Sequence, residues 1–289
     1  MKVRILFLIC FLCITCLLNA ADKPVIQIHT DNSSLIFHVA DNGRLYQSYL
    51  GKKLNHETDI SHLPQGTEAY ITHGMEDYFE PAIHILHNDG NPSLLLKYVS
   101  HETKAVSQGV NETIITLGDD KYPVTVKLHY VTYPAEDIIK TYTEISHKEK
   151  KPVVLHQYAS SMLHLNRAKY YLTEFSGDWA HEANVTEREL AFGKKVIDTK
   201  LGARANMFVS PFFQLALDNS SQENAGEVLV GTIGWTGNFR FTFEVDNKNE
   251  LRIISGINPY DSEYSLPAKE VFRTPDFYFT YSTQGKGEA

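Results

Sequence analysis

Cysteine is confined to the start of the chain: Cys10, Cys13 and Cys16 are the only three among 289 residues. Beyond them no disulfide, thiol nucleophile or zinc–thiolate site can form, so the fold must rest on a large apolar core. Other signatures are missing too. There is no glycine-rich phosphate loop, since Gly231, Gly234 and Gly237 fall in a strand and its turn, and no G-x-S-x-G elbow. Helical periodicity is nearly absent; the best candidate is a weak one at Val185–Leu190. The 13 histidines show no metal-ligand spacing. On a strand, His84 and His87 face opposite ways, and His156 and His164 lie far apart, so these read as scattered surface or edge histidines. No metal ion and no organic cofactor are expected.

What is present begins with an export signal. Residues 1–20 carry Lys2, Arg4 and an apolar run from Ile5 to Leu18, and small residues stand at the cut, Ala20 and Ala21. The run is short for a membrane span, which needs ~20 apolar residues. The expectation is a periplasmic or extracellular protein with no membrane span after cleavage. The segment takes two of the 27 basic residues and none of the 35 acidic ones, so the net charge of −8 becomes −10 beyond it. That balance argues against nucleic acid and anionic membranes as partners.

Residues 21–289 alternate with period two. "VTVKLHY" (124–130) sets Val124, Val126, Leu128 and Tyr130 against Thr125, Lys127 and His129. "FRFTFEVD" (239–246) and "FYFTYS" (277–282) repeat the pattern, as expected of strands with one buried face. Further runs sit at 25–29, 35–39, 94–99, 113–117, 153–158, 212–217 and 228–233. "DNG" (41–43), "NDG" (88–90), "GDD" (118–120), "TGN" (236–238) and "DNKN" (246–249) supply reversals. The expected fold is all-β: one large antiparallel β-sandwich, with few or no helices.

One stretch suggests chemistry. "FSGDWAHEANV" (175–185) holds one of the two tryptophans, with Asp178, His181 and Glu182 beside Trp179. Two carboxylates at the right separation would serve glycoside hydrolysis, but a chain this acidic places some pair near a tryptophan by chance. The reading of Asp178 and Glu182 is therefore structural. Trp235 precedes a turn, where its N–H is expected to find a turn carbonyl.

Eight stretches in order carry a resemblance: "GRLYQSYLGKKL" (43–54), "HGMEDYFEPAI" (73–83), "KLHYVTYPAEDIIKTYTEI" (127–145), "GDWAHE" (177–182), "PFFQLAL" (211–217), "GEVLVGTIGWTGNFRFTFE" (226–244), "ISGINPYD" (254–261) and "FRTPDFYFTYSTQG" (272–285). Together they resemble the N-terminal β-domain of bacterial α-galactosidases of glycoside hydrolase family 36. The resemblance implies a sandwich that precedes a (β/α)₈ barrel carrying both catalytic aspartates, with retention through a covalent galactosyl-enzyme and no cofactor. The family's nucleophile lies in a lysine–tryptophan–aspartate stretch that these 289 residues do not contain, so no catalytic residue is assigned.

The resemblance also implies partners: the C-terminal barrel, galactosides of the raffinose type, and a homo-oligomer whose contacts the β-domain makes. In some members a loop after the "G-K-x-L" strand reaches a neighbour's active site with an acidic or tryptophan side chain. Here that loop is 55–68, and Asp59 is the matching acid. Where the family favours arginine, this chain has Asp178 or His181, and Phe79. Trp179 is the second candidate substrate contact. It either packs against its own sheet or the barrel, or stacks on a sugar ring at the domain junction. A free-standing carbohydrate-binding sandwich is the alternative reading of the whole chain.

Overall fold

The computed structural model describes residues 23–75, 78–202 and 208–289; the export signal read at 1–20 lies outside them. The fold is all-β, built from three antiparallel sheets. The first runs β1 (Val25–His29), β2 (Ser33–Val39), β3 (Leu45–Lys52) and β4 (Thr67–Glu68) in order. The second contains β5 (Ile83–Leu86), β10 (Val153–Asn166), β13 (Gly193–Asp198), β16 (Phe239–Val245), β17 (Glu250–Ile257) and β18 (Tyr264–Leu266). Its order is β13-β16-β17-β10-β18, with β5 also on β10.

The third sheet contains β6 (Lys97–Ser107), β7 (Val110–Gly118), β8 (Val124–Tyr133), β9 (Ile138–His147), β11 (Tyr170–Ser176), β12 (Asn184–Glu189), β14 (Val209–Leu217), β15 (Glu227–Ile233), β19 (Val271–Arg273) and β20 (Phe277–Ser282). It is ordered β12-β11-β14-β15-β20-β9-β8-β7-β6, with β19 on β9. Among the described residues, helix is limited to α1 (Glu57–Ser61) and a 3₁₀ turn at Pro134–Glu136.

Local chemistry sets these elements. Alternation in β16 turns Phe239, Phe241 and Phe243 into the core, where all three are fully buried. There Phe213 meets Phe243 edge-on at 4.9 Å and Phe241 at 5.3 Å. One continuous apolar cluster draws side chains from all three sheets. The reversals are closed by their own polar side chains. Asn42 Oδ1 accepts the N–H of Arg44 at 2.9 Å, and Asp246 Oδ1 accepts that of Lys248 at 2.8 Å. At the end of the third sheet β6 is exposed along most of its length; two bulges, at Tyr98/Ser100 and Ala105/Ser107, interrupt its pairing with β7.

Three expectations are corrected. The weak helical candidate Val185–Leu190 is largely strand β12, paired residue for residue with β11 from Tyr171↔Glu189 to Ser176↔Asn184. A short apolar period cannot compete with six ladder pairs. Second, the strands are not simply polar outside: opposite its phenylalanines, β16 also buries Thr242 and Glu244. The segment before β5 reaches that outer face, where the Glu80 N–H donates to Glu244 Oε2 at 2.9 Å and the Phe79 ring lies 3.3 Å from the Arg252 guanidinium. Phe79, at an expected arginine position, thus meets an arginine from another strand.

Third, several histidines are interior. His87 is buried between Glu149 (Nδ1 to Oε1 2.7 Å) and the Ser93 carbonyl (3.1 Å), and His147 reaches the Leu266 carbonyl at 2.9 Å. On the third sheet His129 lies 2.9 Å from Glu112 Oε1, which also accepts from the Tyr142 hydroxyl at 2.7 Å; Lys104 holds the other carboxylate oxygen at 2.9 Å.

Burial opposes ionisation of Glu112, but Lys104, Tyr142 and His129 outweigh it and hold the carboxyl down to about 2. A carboxyl lowered by folding stabilises the native state above the unfolded value of roughly 4.3. That contribution is lost as pH falls toward the folded value. Glu112→Gln should therefore lose less stability than the parent between roughly pH 4 and 2, read from urea midpoints. Parallel acid limbs for the two proteins would show that the network does not hold Glu112 ionised.

Candidate functional site

The loop after β3 leaves the first sheet with its backbone tied down: the Lys53 N–H donates to the Asn32 carbonyl at 2.8 Å and the Leu54 N–H to Ser34 Oγ at 3.0 Å. It then forms the single turn α1, which buries no side chain. Asp59 sits on that turn, exposed, and its carboxylate meets no partner among the described residues. The loop returns at Gly66, where φ is +72° and a Cβ would stand 1.9 Å from the Gln47 carbonyl oxygen. Only glycine allows so close a return. β4 follows, and its Glu68 is clamped by Arg44 through Nε at 2.8 Å and through Nη2.

Between this loop and the sheets lies a half-open cleft of 480 Å³. It forms because strands of three different sheets converge there without filling the space: β3, the end of β10 with Arg167 beyond it, and the first residues of β15 and β17. The Gln47 amide fixes two of these strands together, donating to the His164 carbonyl at 2.8 Å and accepting its N–H at 3.2 Å. Arg167 pairs with Glu227 at 2.7 Å and donates to the Tyr281 hydroxyl at 3.2 Å. Among the described residues the Glu250 carboxylate has a single hydrogen bond, from Thr67 Oγ1 at 3.4 Å. Apart from His164, read from sequence as a surface or edge histidine, none of these residues was singled out from sequence; distant segments supply them, and only the meeting of the sheets brings them together.

Trp179 lies elsewhere, at the tip of the β11–β12 hairpin, and no contact joins it to Asp59 or to the cleft. It is 86% exposed, so it does not pack against its own sheet. The turn beneath it explains why. The Asp178 carboxylate accepts the Trp179 N–H at 2.7 Å, and Glu182 accepts that of Ala180 at 3.2 Å. Ala180 and Ala183 both hold positive φ, 61° and 55°. The two acids thus close a tight turn that lifts the indole off the sheet. Trp235 is 40% exposed, and among the described residues its N–H finds no acceptor, contrary to the turn carbonyl expected for it.

A third cluster joins His73, His84 and His156. The ring centroids are 3.8 and 4.8 Å apart, and His156 Nδ1 lies 3.6 Å from Glu263. Burial, with the neighbouring imidazoles, pushes His84 down to about 4. Among the described residues no three histidine or acid side chains are arranged to hold a metal ion.

The sequence matches the family described as "Glycosyl hydrolase family 36 N-terminal domain" over residues 43–267. The chain belongs to that family. Its relatives are longer. The α-galactosidase Mel36A of Lactobacillus acidophilus is 23% identical over 91% of this chain but only 40% of its own length. The α-galactosidase AgaA of Geobacillus stearothermophilus is 27% identical over 75% of this chain and 32% of its own. The chain therefore spans less than half the length of these relatives. Its fold is theirs. The crystal structure of AgaA superimposes with a TM-score of 0.84 at 23% identity, over 91% of this chain and 41% of that one. The α-galactosidase of Lactobacillus brevis does so with 0.82. The three-sheet architecture is thus that of the N-terminal domain of this glycosyl hydrolase family.

Proposed function

We propose that this chain serves as the N-terminal accessory domain of an exported α-galactosidase, supporting a (β/α)₈ barrel that removes terminal α-linked galactose from raffinose-type oligosaccharides with retention. The observation that carries the reading is the family match over residues 43–267, set against α-galactosidases that extend well beyond it. Catalysis belongs to the barrel and needs no cofactor. The domain supplies support and part of a homo-oligomer interface, with Asp59 on its projecting turn reaching toward a neighbouring subunit and Trp179 meeting the barrel or a sugar ring. Residues 1–20 direct export to the periplasm or beyond. A largely exposed indole on a turn with two alanines at positive φ favours an intermolecular role for Trp179, because folding alone gains nothing from displaying it.

The test is hydrolysis of a chromogenic α-galactoside by purified residues 21–289. The expected result is no turnover from a folded, β-rich protein, and activity when a separately made barrel is mixed in. Turnover that scales with the chain alone and survives rigorous purification would place catalytic carboxylates within the sandwich and end the accessory reading.

A further inference from the structure

The cleft beside the Gly66 turn is built like a ligand site, and nothing in the accessory role requires it. At 480 Å³ it falls in the size range of small-molecule pockets. Its walls mix leucine side chains with polar groups, and the polar groups differ in how far they are committed. Arg167 is spoken for: Glu227 lies at 2.7 Å and Asp218 at 3.7 Å, so its charge is matched. The Glu250 carboxylate is not, holding among the described residues only the long contact from Thr67. The Asn166 side chain, at the exposed end of β10, has no hydrogen-bond partner among the described residues. A ligand entering here meets a carboxylate with spare acceptor capacity, a free amide offering both donor and acceptor, and, among the described residues, no unpaired cation.

That combination selects against anions, which would face Glu227 and Glu250 with no free positive charge. It suits a neutral molecule dense in hydroxyls, since each hydroxyl both donates and accepts. We infer that this cleft binds a neutral saccharide, with Glu250 and Asn166 taking its hydroxyls and the leucine walls covering its apolar face. The inference does not rest on the accessory reading: the site lies wholly within this chain and can be tested without a barrel.

The experiment is amide-resolved NMR of the ¹⁵N-labelled full chain titrated with raffinose and, separately, maltose, with spermidine and inorganic phosphate as charged probes. The expected result is shifts at 47–50, 66–67 and 166–167 with at least one sugar, at roughly millimolar concentration, and none there with either charged probe. Glu250→Gln and Asn166→Ala should each weaken binding by about tenfold, while Phe192→Ala, at an exposed residue outside the cleft, leaves it unchanged. Asn166 is exposed, so its variant keeps the test valid even if Glu250→Gln misfolds. The inference is overturned if neither sugar shifts these amides, if only spermidine or phosphate does, or if both folded variants bind like the parent. Shifts that centre on 177–183 and vanish in Trp179→Ala would move sugar binding to the hairpin and equally sink it.

Discussion

Gly231→Val is expected to unfold the protein, or to leave it at least 3 kcal/mol less stable, in the upper part of the overpacking range. Gly231 is central in β15, opposite Phe213 on one side and Phe279 on the other. A Cβ there would lie 2.5 Å from Phe213 Cζ and 2.8 Å from Phe277 Cζ. Neither ring can retreat. Phe213 is held edge-on by Phe243 and Phe241, and all four rings are fully buried. Interiors at crystal-like density have no slack to absorb this.

Gly231→Ala should cost less, about 1–3 kcal/mol, and Gly231→Ala with Phe213→Leu should recover part of that loss, because the smaller side chain vacates the contested volume. Thermal melts decide the matter, at roughly 2–4 °C per kcal/mol for a domain of this size. A Gly231→Val protein melting within a degree or two of the parent would mean the aromatic cluster is not packed around that glycine.

The second large effect is expected at Asp246. Its carboxylate lies 3.2 Å from the Arg252 guanidinium, with both side chains almost wholly buried, and its other oxygen closes the β16–β17 turn through the N–H groups of Lys248 and Glu250. Burial works against the charge on Asp246, yet those two N–H groups and Arg252 together keep its carboxyl below the ordinary range. Asp246→Ala leaves a buried cation whose Nε and Nη1 already have no hydrogen-bond partner among the described residues, and the expected cost is about 3–5 kcal/mol.

Asp246→Asn separates the two roles, since an amide oxygen can still cap the turn but brings no charge. Adding Arg252→Met to Asp246→Asn should then restore stability, because an apolar side chain has no desolvation to repay. Urea midpoints for the single and double variants measure this. If Asp246→Ala loses under about 1 kcal/mol, near the value of an exposed pair, the charge on Arg252 is compensated elsewhere. The sign with pH follows from the lowered carboxyl: its contribution is present above the ordinary carboxylate range and fades as pH falls through the folded value.

Strands that alternate cleanly were legible in the sequence. The runs at 124–130, 239–245 and 277–282 lie in β8, β16 and β20, and the turn stretches fall between strands, save for Gly118, which is the last residue of β7. The strands that escaped notice did so for two physical reasons. β17 is buried on both faces from Leu251 to Gly256, so its apolar residues run on without a period. β9 alternates perfectly in burial, but its inward row includes Thr141, Thr143 and His147, and polar residues inside hide the pattern.

The site was less legible still. Asp59 and Trp179 stood out as residue types in recognisable stretches, and both are on exposed turns in separate parts of the fold. The cleft was invisible because Arg167, Glu227 and Glu250 carry no local pattern; their proximity follows from how three sheets meet. The arrangement of Asp178 and Glu182 as turn-closing groups likewise depends on a hairpin register that composition does not encode.

The far end of the third sheet has a consequence for how the protein keeps company with itself. An eleven-residue border strand such as β6, bathed in water, is a template on which another molecule's backbone could assemble. What guards it is irregularity. The bulges at Tyr98/Ser100 and Ala105/Ser107 bend the strand near each end, so an incoming chain finds only a short straight stretch between them. That stretch carries Glu102 and Lys104, which a second identical copy would meet as like charges in a parallel, in-register approach. The same distortions that make β6 a poorly packed member of its own sheet are what stop the sheet from growing without limit at high concentration.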